Sequence, residues 1–294
     1  MARSSREERV PHALLHGFLI ATVLFTIYPV LWVVSIAFSG KQSLAIADLP
    51  PDPTFLDRLR AVIPWPQAWS LANFSSVMSD QPFARWILNS AIISVASTVV
   101  GVSLACTAAY AFSRFKFPGR RAGMMSFLVS QMFPGVLTLI PLYIIIVQWL
   151  GLGSTHVGLV IVYATTSVPF SVWMLKGYFD TIPKELEEAA VIEGAGPGKI
   201  FWTIVLPLAK PAIAITALFS FMTGWNEFIL AATFMDQEVM YTAPVGLRFF
   251  VGGFQQQWGY FAAGSIIVSI PVVVLFFYLQ KYLVSGLTAG SVKG

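Results

Sequence analysis

"EEAAVIEGAGPGKIFWTIVLPLAKP", running from Glu187 to Pro211, decides how the rest of the chain is read. It opens on acids, passes through glycines and a proline, and closes on apolar residues without staying apolar for the ~20 residues a bilayer crossing needs. Together with the residues before it, it predicts a short helix over Ile182 to Glu193. Pro183 stands at the start, Glu185, Glu187 and Glu188 crowd the first turn where they complement the helix dipole, and Gly194 stands where the helix must stop. Leu186, Ala189, Ala190 and Glu193 recur at i, i+3, i+4 and i+7 and so share one shallow face. A second short helix is predicted over Gly198 to Val205, ending at Leu206-Pro207. Two small helices joined by a small-residue bend make a compact protrusion suited to a groove on another protein.

The surroundings of this polar segment are far more apolar. Of 294 residues 56% are hydrophobic and 11% charged, with a mean hydropathy of +0.74, against about 25% charged in ordinary globular domains. Six stretches are long enough to span roughly 30 Å of hydrocarbon: Leu14 to Phe38, Trp86 to Phe112, Met124 to Trp149, Gly158 to Phe179, Pro211 to Thr233 and Tyr260 to Val284. Lipid offers no water to unpaired backbone groups, so these stretches are predicted to be helices. The first exceeds a signal-peptide core and lacks an A-x-A-like cleavage site after it, so it reads as retained. The expected fold is therefore an all-α polytopic membrane protein with six transmembrane helices in the lipid bilayer.

Charge gives orientation. The net charge of +4 is modest, and the basic residues flank apolar runs instead of forming a nucleic-acid-like cluster. Thirteen of the 18 Lys and Arg fall on the N-terminal side of the alternating spans, which predicts cytoplasmic termini and a cytoplasmic 180–210 loop. The expected layout is a cytoplasmic N-terminus over 1–13, a transmembrane domain over 14–285 with an outer loop over 39–85, and a C-terminal tail over 286–294. The outer loop carries Pro50, Pro51, Pro53, Pro64 and Pro66 beside two tryptophans, Trp65 and Trp69, and reads either as a docking surface or as an irregular cap. "SRFKFPGRR", Ser113 to Arg121, reads as a basic anchor with a turn at Pro118-Gly119. "GLRFFVGGF", Gly246 to Phe254, either dips toward the membrane or packs on the helices.

Catalysis is not indicated. "GAGPGKI" falls short of a phosphate loop because Lys199 is followed by Ile200 and Glu193 occupies the first glycine position. His12, His16 and His156 have no carboxylate or cysteine partners at metal-ligand spacing, so no metal is expected. The single cysteine, Cys106, lies in an apolar run and reads as a packing residue.

Glu188-Ala189-Ala190, three residues, Gly194, nine residues, Ile204, one residue and Leu206-Pro207 resembles the EAA signature of permease subunits of bacterial ATP-binding-cassette importers. "AYAFSRFKFPGRR", "QMFPGVLTLIPLY", "LKGYFDTIPKELEEAA" and the terminal "GLTAGSVKG" narrow the resemblance to carbohydrate importers of the maltose type, whose permease carries a C-terminal tail. "GWNEF", Gly224 to Phe228, resembles the wider carbohydrate permeases and leaves the sugar open.

The resemblance implies a type I importer fold in the bacterial inner membrane and half of a translocation path for a maltose- or trehalose-like oligosaccharide. It implies a second permease subunit, two ATPase subunits that hold ATP and Mg, and an extracytoplasmic sugar-binding protein; no cofactor is expected on this chain itself. Glu187, Glu188, Ala189, Ala190, Gly194, Ile204, Leu206 and Pro207 would couple to the ATPase, and Gly286, Leu287, Thr288, Gly290 and Lys293 would reach its interface. A permease for a polyamine or phosphate is the alternative within the class. An ion-coupled carrier would call for several intramembrane ionisable residues, whereas Glu227 is the only acid in the six predicted spans.

Trp225, Asn226 and Glu227 could meet the solute through stacking and hydrogen bonds, or Glu227 could clamp two helices together; Gln131 is a further candidate, with Tyr143, Gln148 and Ser167 behind it. Pro134, Pro141, Pro169 and Pro271 mark kinks inside spans. Ser90, Ala91, Ser94, Ser97, Gly101, Ala105 and Ala108 predict a tightly packed face on the second span.

Overall fold

The computed structural model describes the backbone of residues 9–66 and 68–291 and the side chains of 14–66 and 68–281. Among the described residues the chain is helical throughout, without a strand. Its elements are α1 (Arg9–Ala37), α2 (Phe55–Ala61), α3 (Ala72–Ser79), α4 (Phe83–Arg114), α5 (Arg120–Met132), α6 (Gly135–Trp149), α7 (His156–Phe179), α8 (Glu185–Ile192), α9 (Pro197–Leu208), α10 (Lys210–Asn226), α11 (Ile229–Phe234), α12 (Ala243–Leu247) and α13 (Trp258–Ser291). Four helices are long and apolar enough to cross a membrane unaided, namely Leu14–Ala37, Phe83–Arg114, His156–Phe179 and Trp258–Lys281, among the described residues. Two bent pairs, α5 with α6 and α9 with α10, bring the total to as many as six.

The predicted third span, Met124 to Trp149, is thus two helices meeting at 100°. Proline disfavours helical backbone in the residue before it, and Phe133 is accordingly extended at φ −74°, ψ 130° ahead of Pro134. Pro169 and Pro271, also predicted as kink sites, lie inside single helices. The predicted fifth span divides as well: α10 ends at Asn226, Glu227 is extended with ψ 129°, and α11 begins at Ile229. The second loop helix runs on past its predicted end at Val205 to Leu208, through a wide π turn at Phe201–Val205 where Leu206 N–H donates to Phe201 O. That wider turn is one of the ways a helix accommodates an interruption such as Pro207.

The chain divides into two compact units. In the first, residues 1–83 and 247–268, buried Asn73 donates through Nδ2 to Ala37 O and to Ile36 O, which Ser39 also reaches, and so braces the end of α1. Gln42 links Asn73 Oδ1 at 2.8 Å to Tyr260 N at 3.2 Å, tying the start of α13 to the same knot. Within "GLRFFVGGF", Phe250 is buried and packs on Phe83 and Tyr260, while Phe249 and Phe254 are exposed.

In the second unit, α7 packs against α5, α10 and α11. The small-residue face predicted on α4 meets these helices closely. A Cβ on Gly101 would lie 2.8 Å from Ser167 Oγ, and one on Gly224 would lie 3.2 Å from Tyr163 Cδ2 and 3.4 Å from Ser97 Oγ. One apolar core joins Val102, Ala105, Cys106 and Ala109 of α4 to Val172, Leu175 and Phe179 of α7 and to Ile200, Phe201 and Val205 of α9. A second surrounds Ile93, Leu159, Val162, Tyr163 and Phe234.

Candidate functional site

The 180–210 loop is built as a rigid lobe. Acids at its first turn favour α8, and the helix closes on Gly194, whose φ of +85° lies in the left-handed region that favours glycine. Ala195 N–H donates to Ala190 O and Gly194 N–H to Val191 O, both at 2.9 Å, which is the two-bond Schellman closure. Ala190 and Ala195 both pack against the α4/α7/α9 core, so the closure is sealed by apolar contact as well. Nothing lies within 4 Å of a Cβ added at Gly194, so a side chain there would meet backbone strain alone, on the order of 1–3 kcal/mol. We therefore expect Gly194→Val to speed proteolytic nicking of the loop in the membrane-inserted chain and Gly194→Asn, which tolerates this backbone, to leave it near wild type. Equal cleavage of all three chains would overturn the bend assignment.

A buried ionic network fastens the lobe to the helix ends. Arg114, the last residue of α4, donates through Nε to Glu187 Oε1 at 2.6 Å, and the two side chains are only 7% and 12% exposed. Arg114 also donates through Nη2 to Ile182 O at 3.1 Å and through Nη1 to Ser113 Oγ at 2.9 Å. Tyr110 OH approaches Glu187 Oε2 at 3.5 Å. Ser113 Oγ in turn donates to Asp180 Oδ1, and Lys176 Nζ to Asp180 Oδ2, both at 2.6 Å. Burial pushes the Asp180 carboxyl up, but hydrogen bonds from Lys176 and Ser113, with the charges of Lys176 and Arg114, hold it below the usual carboxylate value. Glu187 therefore faces the bundle. Glu188 and Ala189 face solvent, Ala190 is half-buried, and Ile192 is 87% exposed at the lobe's tip. Ile204 and Leu206 pack half-buried on the core, while Pro207 is exposed.

The residues proposed from sequence for the solute path do not converge. Trp225 is buried and stacks on Phe221 at 5.4 Å, whereas Asn226 is exposed. Glu227 accepts from Tyr163 OH at 2.8 Å, from Leu230 N–H at 2.8 Å and from Ala231 N–H at 2.9 Å. Its carboxylate thus fastens the α10/α11 break to α7 and caps the first turn of α11. Gln131 lies elsewhere, in a cleft of about 1050 Å³ between α4, α5, α6 and α7, lined also by Ser130, Thr138, Thr165 and Thr166. In the tail, the backbone of Gly286, Leu287, Thr288 and Gly290 continues α13, and Lys293 lies outside the described residues. Arg114, Ser113, Asp180 and Tyr163 were not singled out from sequence as site residues.

Bilayer-length apolar helices, a break between α10 and α11 fastened by a carboxylate, and a loop lobe held against the bundle by a buried ion pair make up a multi-pass membrane protein. The chain belongs to the family described as binding-protein-dependent transport system inner membrane component, whose model matches residues 97–289. It is 35% identical to the maltodextrin transport system permease protein of Bacillus subtilis, over 94% of each chain. It is 38% identical to the galactooligosaccharides transport system permease protein of the same organism, over 91% of this chain and 90% of that one. Among solved structures it is similar in fold to a bacterial ABC transporter that imports the acidic polysaccharide alginate. There the TM-score is 0.75 at 23% identity, covering 96% of this chain and 98% of the other.

Proposed function

We propose that the chain is a permease subunit of an ATP-driven importer of a small oligosaccharide, forming one half of the path and hydrolysing no ATP itself. The observation that carries the coupling part is the lobe: one face is locked to α4 and α7, and the other offers Glu188, Ala189, Val191 and Ile192 to a partner. A rigid lobe so fastened passes a push at its tip into two spans instead of absorbing it in loop motion. The partners are a second permease, two ATPase subunits that carry ATP and Mg, and an extracytoplasmic sugar-binding protein, with both termini and the lobe cytoplasmic. The sugar class is supported by the maltodextrin and galactooligosaccharide relatives. A binding-protein partner is supported by the likeness, at a TM-score of 0.66, to an alginate transporter solved with its pentasaccharide-bound periplasmic protein.

The test is reconstitution into proteoliposomes with the candidate partner subunits and radiolabelled maltotriose or galactobiose. Uptake that needs ATP, binding protein and both permeases is expected, together with a disulfide crosslink between an Ile192→Cys variant and a cysteine on the ATPase. ATP turnover by the chain alone, or uptake driven by an ion gradient without ATP, would overturn the reading.

A further inference from the structure

Among the described residues, the connection after α1 holds a helix that no other element buries. The segment 55–63, α2 and its closing turn, carries Phe55, Leu56, Leu59, Val62 and Ile63, each between 48% and 78% exposed. At 100° per residue these five fall within an arc of roughly 120°. Arg58 and Arg60 stand about 40° beyond either edge of that arc, and Asp57 lies opposite. Such a pattern is an error on a free loop in water. It is the pattern of a helix lying flat in a membrane interface, with the apolar face among acyl chains and the guanidinium groups beside lipid phosphates.

The helix is also fixed beside a particular stretch of α1. Tyr28 OH on α1 donates to Val62 O at 2.9 Å, and Trp32 Nε1 donates to Leu44 O at 3.3 Å. The connection therefore folds back along α1, nine residues, or about 13 Å, short of its end at Ala37. Leu14–Ala37 is itself about 36 Å long, about 6 Å more than the ~30 Å hydrocarbon layer. Tyr and Trp gather where hydrocarbon meets headgroup. Tyr28 and Trp32 are spaced one turn apart on α1, and Trp65 and Trp69, 66% and 55% exposed, follow α2 on the same connection. The Thr54/Asp57 capping box, with Asp57 N–H donating to Thr54 Oγ1 and Thr54 N–H to Asp57 Oδ2, defines the start of this short helix without a protein contact.

We propose that segment 55–63 is a membrane-surface helix, bound to phospholipid in the leaflet at the C-terminal end of the first span. It anchors the first connection beside α1 through lipid contact. This assignment holds whichever solute the chain carries.

The test uses the full chain with Cys106→Ala, single nitroxide-labelled cysteines at positions 55 to 60, 62 and 63, and nanodiscs of phosphatidylethanolamine and phosphatidylglycerol. Collision with oxygen, which concentrates in lipid, is compared with collision with a water-soluble nickel chelate. The ratio should invert between the faces with a period of about 3.6 residues, favouring oxygen at 55, 56, 59, 62 and 63 and nickel at 57. A Leu56→Glu/Leu59→Glu chain labelled at position 60 should gain nickel contact, and this label leaves the apolar face untouched if labels on that face prevent folding. Nickel contact at every position would show a free loop, and exclusion of both agents from the apolar face would show a protein cover; either result overturns the proposal.

Discussion

Glu187→Ala should reduce ATP-driven uptake by more than tenfold and loosen the 180–210 loop even in the isolated chain, while Glu188→Ala should leave the isolated chain unchanged. The difference comes from burial. Arg114 and Glu187 are 7% and 12% exposed, and the other acceptors of the Arg114 guanidinium, Ser113 Oγ and Ile182 O, are neutral. Among the described residues, removing Glu187 leaves Arg114 only the Asp180 carboxylate, which it does not contact directly and which Lys176 already holds. Breaking a buried pair costs up to about 3–5 kcal/mol, whereas replacing both members by apolar groups of similar volume is often neutral. Arg114→Met/Glu187→Leu should therefore recover most of the loop's resistance to protease that Glu187→Ala loses. Glu188 is exposed, and its loss should show only as weaker recovery of the ATPase subunits with the complex. If Glu187→Ala and Glu188→Ala give the same protease kinetics in the isolated chain, the ion pair does not hold the lobe.

The spans and the lobe were readable from sequence for different reasons than the network that joins them. Leu14–Ala37, Phe83–Arg114 and His156–Phe179 announce themselves through length and composition, which the bilayer imposes locally. Gly194 was readable as a helix stop because the bend is chemistry of a single residue. Arg114 and Glu187 are 73 positions apart, and Tyr163 and Glu227 are 64 apart. No local period connects them, and Arg114 looked like one more cation at a membrane edge. Trp225 shows the opposite hazard. Beside an acid it suggested a sugar platform, but its helical phase sets it one turn from Phe221, on the face that α10 buries. The break at Phe133-Pro134 was visible as a kink, whereas its 100° extent was not.

Glu227→Ala should lower uptake by about tenfold or more with little change in the solute concentration at half-maximal rate, and Glu227→Gln should restore part of it. The carboxylate receives three bonds of 2.8–2.9 Å, and Tyr163, whose hydroxyl makes one of them, is 4% exposed. Alanine would strand that hydroxyl and two backbone N–H groups in apolar surroundings, at about 1–3 kcal/mol for each buried group left unsatisfied. Every 1.4 kcal/mol against the working geometry is a factor of about ten. Glutamine keeps one oxygen, for the Leu230 amide, and its NH₂, standing where Oε2 accepted from Ala231 N–H and Tyr163 OH, can donate to the Tyr163 oxygen once that hydroxyl rotates, so two of the three bonds survive and the Ala231 bond is lost. The charge and one amide bond are lost, and a fastening that works by geometry tolerates the loss of charge. A solute contact predicts the reverse pattern, because a sugar hydroxyl bonded to the carboxylate would feel the loss of charge directly. Uptake measured across a range of solute concentrations separates the two: a glutamine variant with normal maximal rate and a strongly raised half-saturation concentration would move Glu227 from the helix clamp to the translocation path.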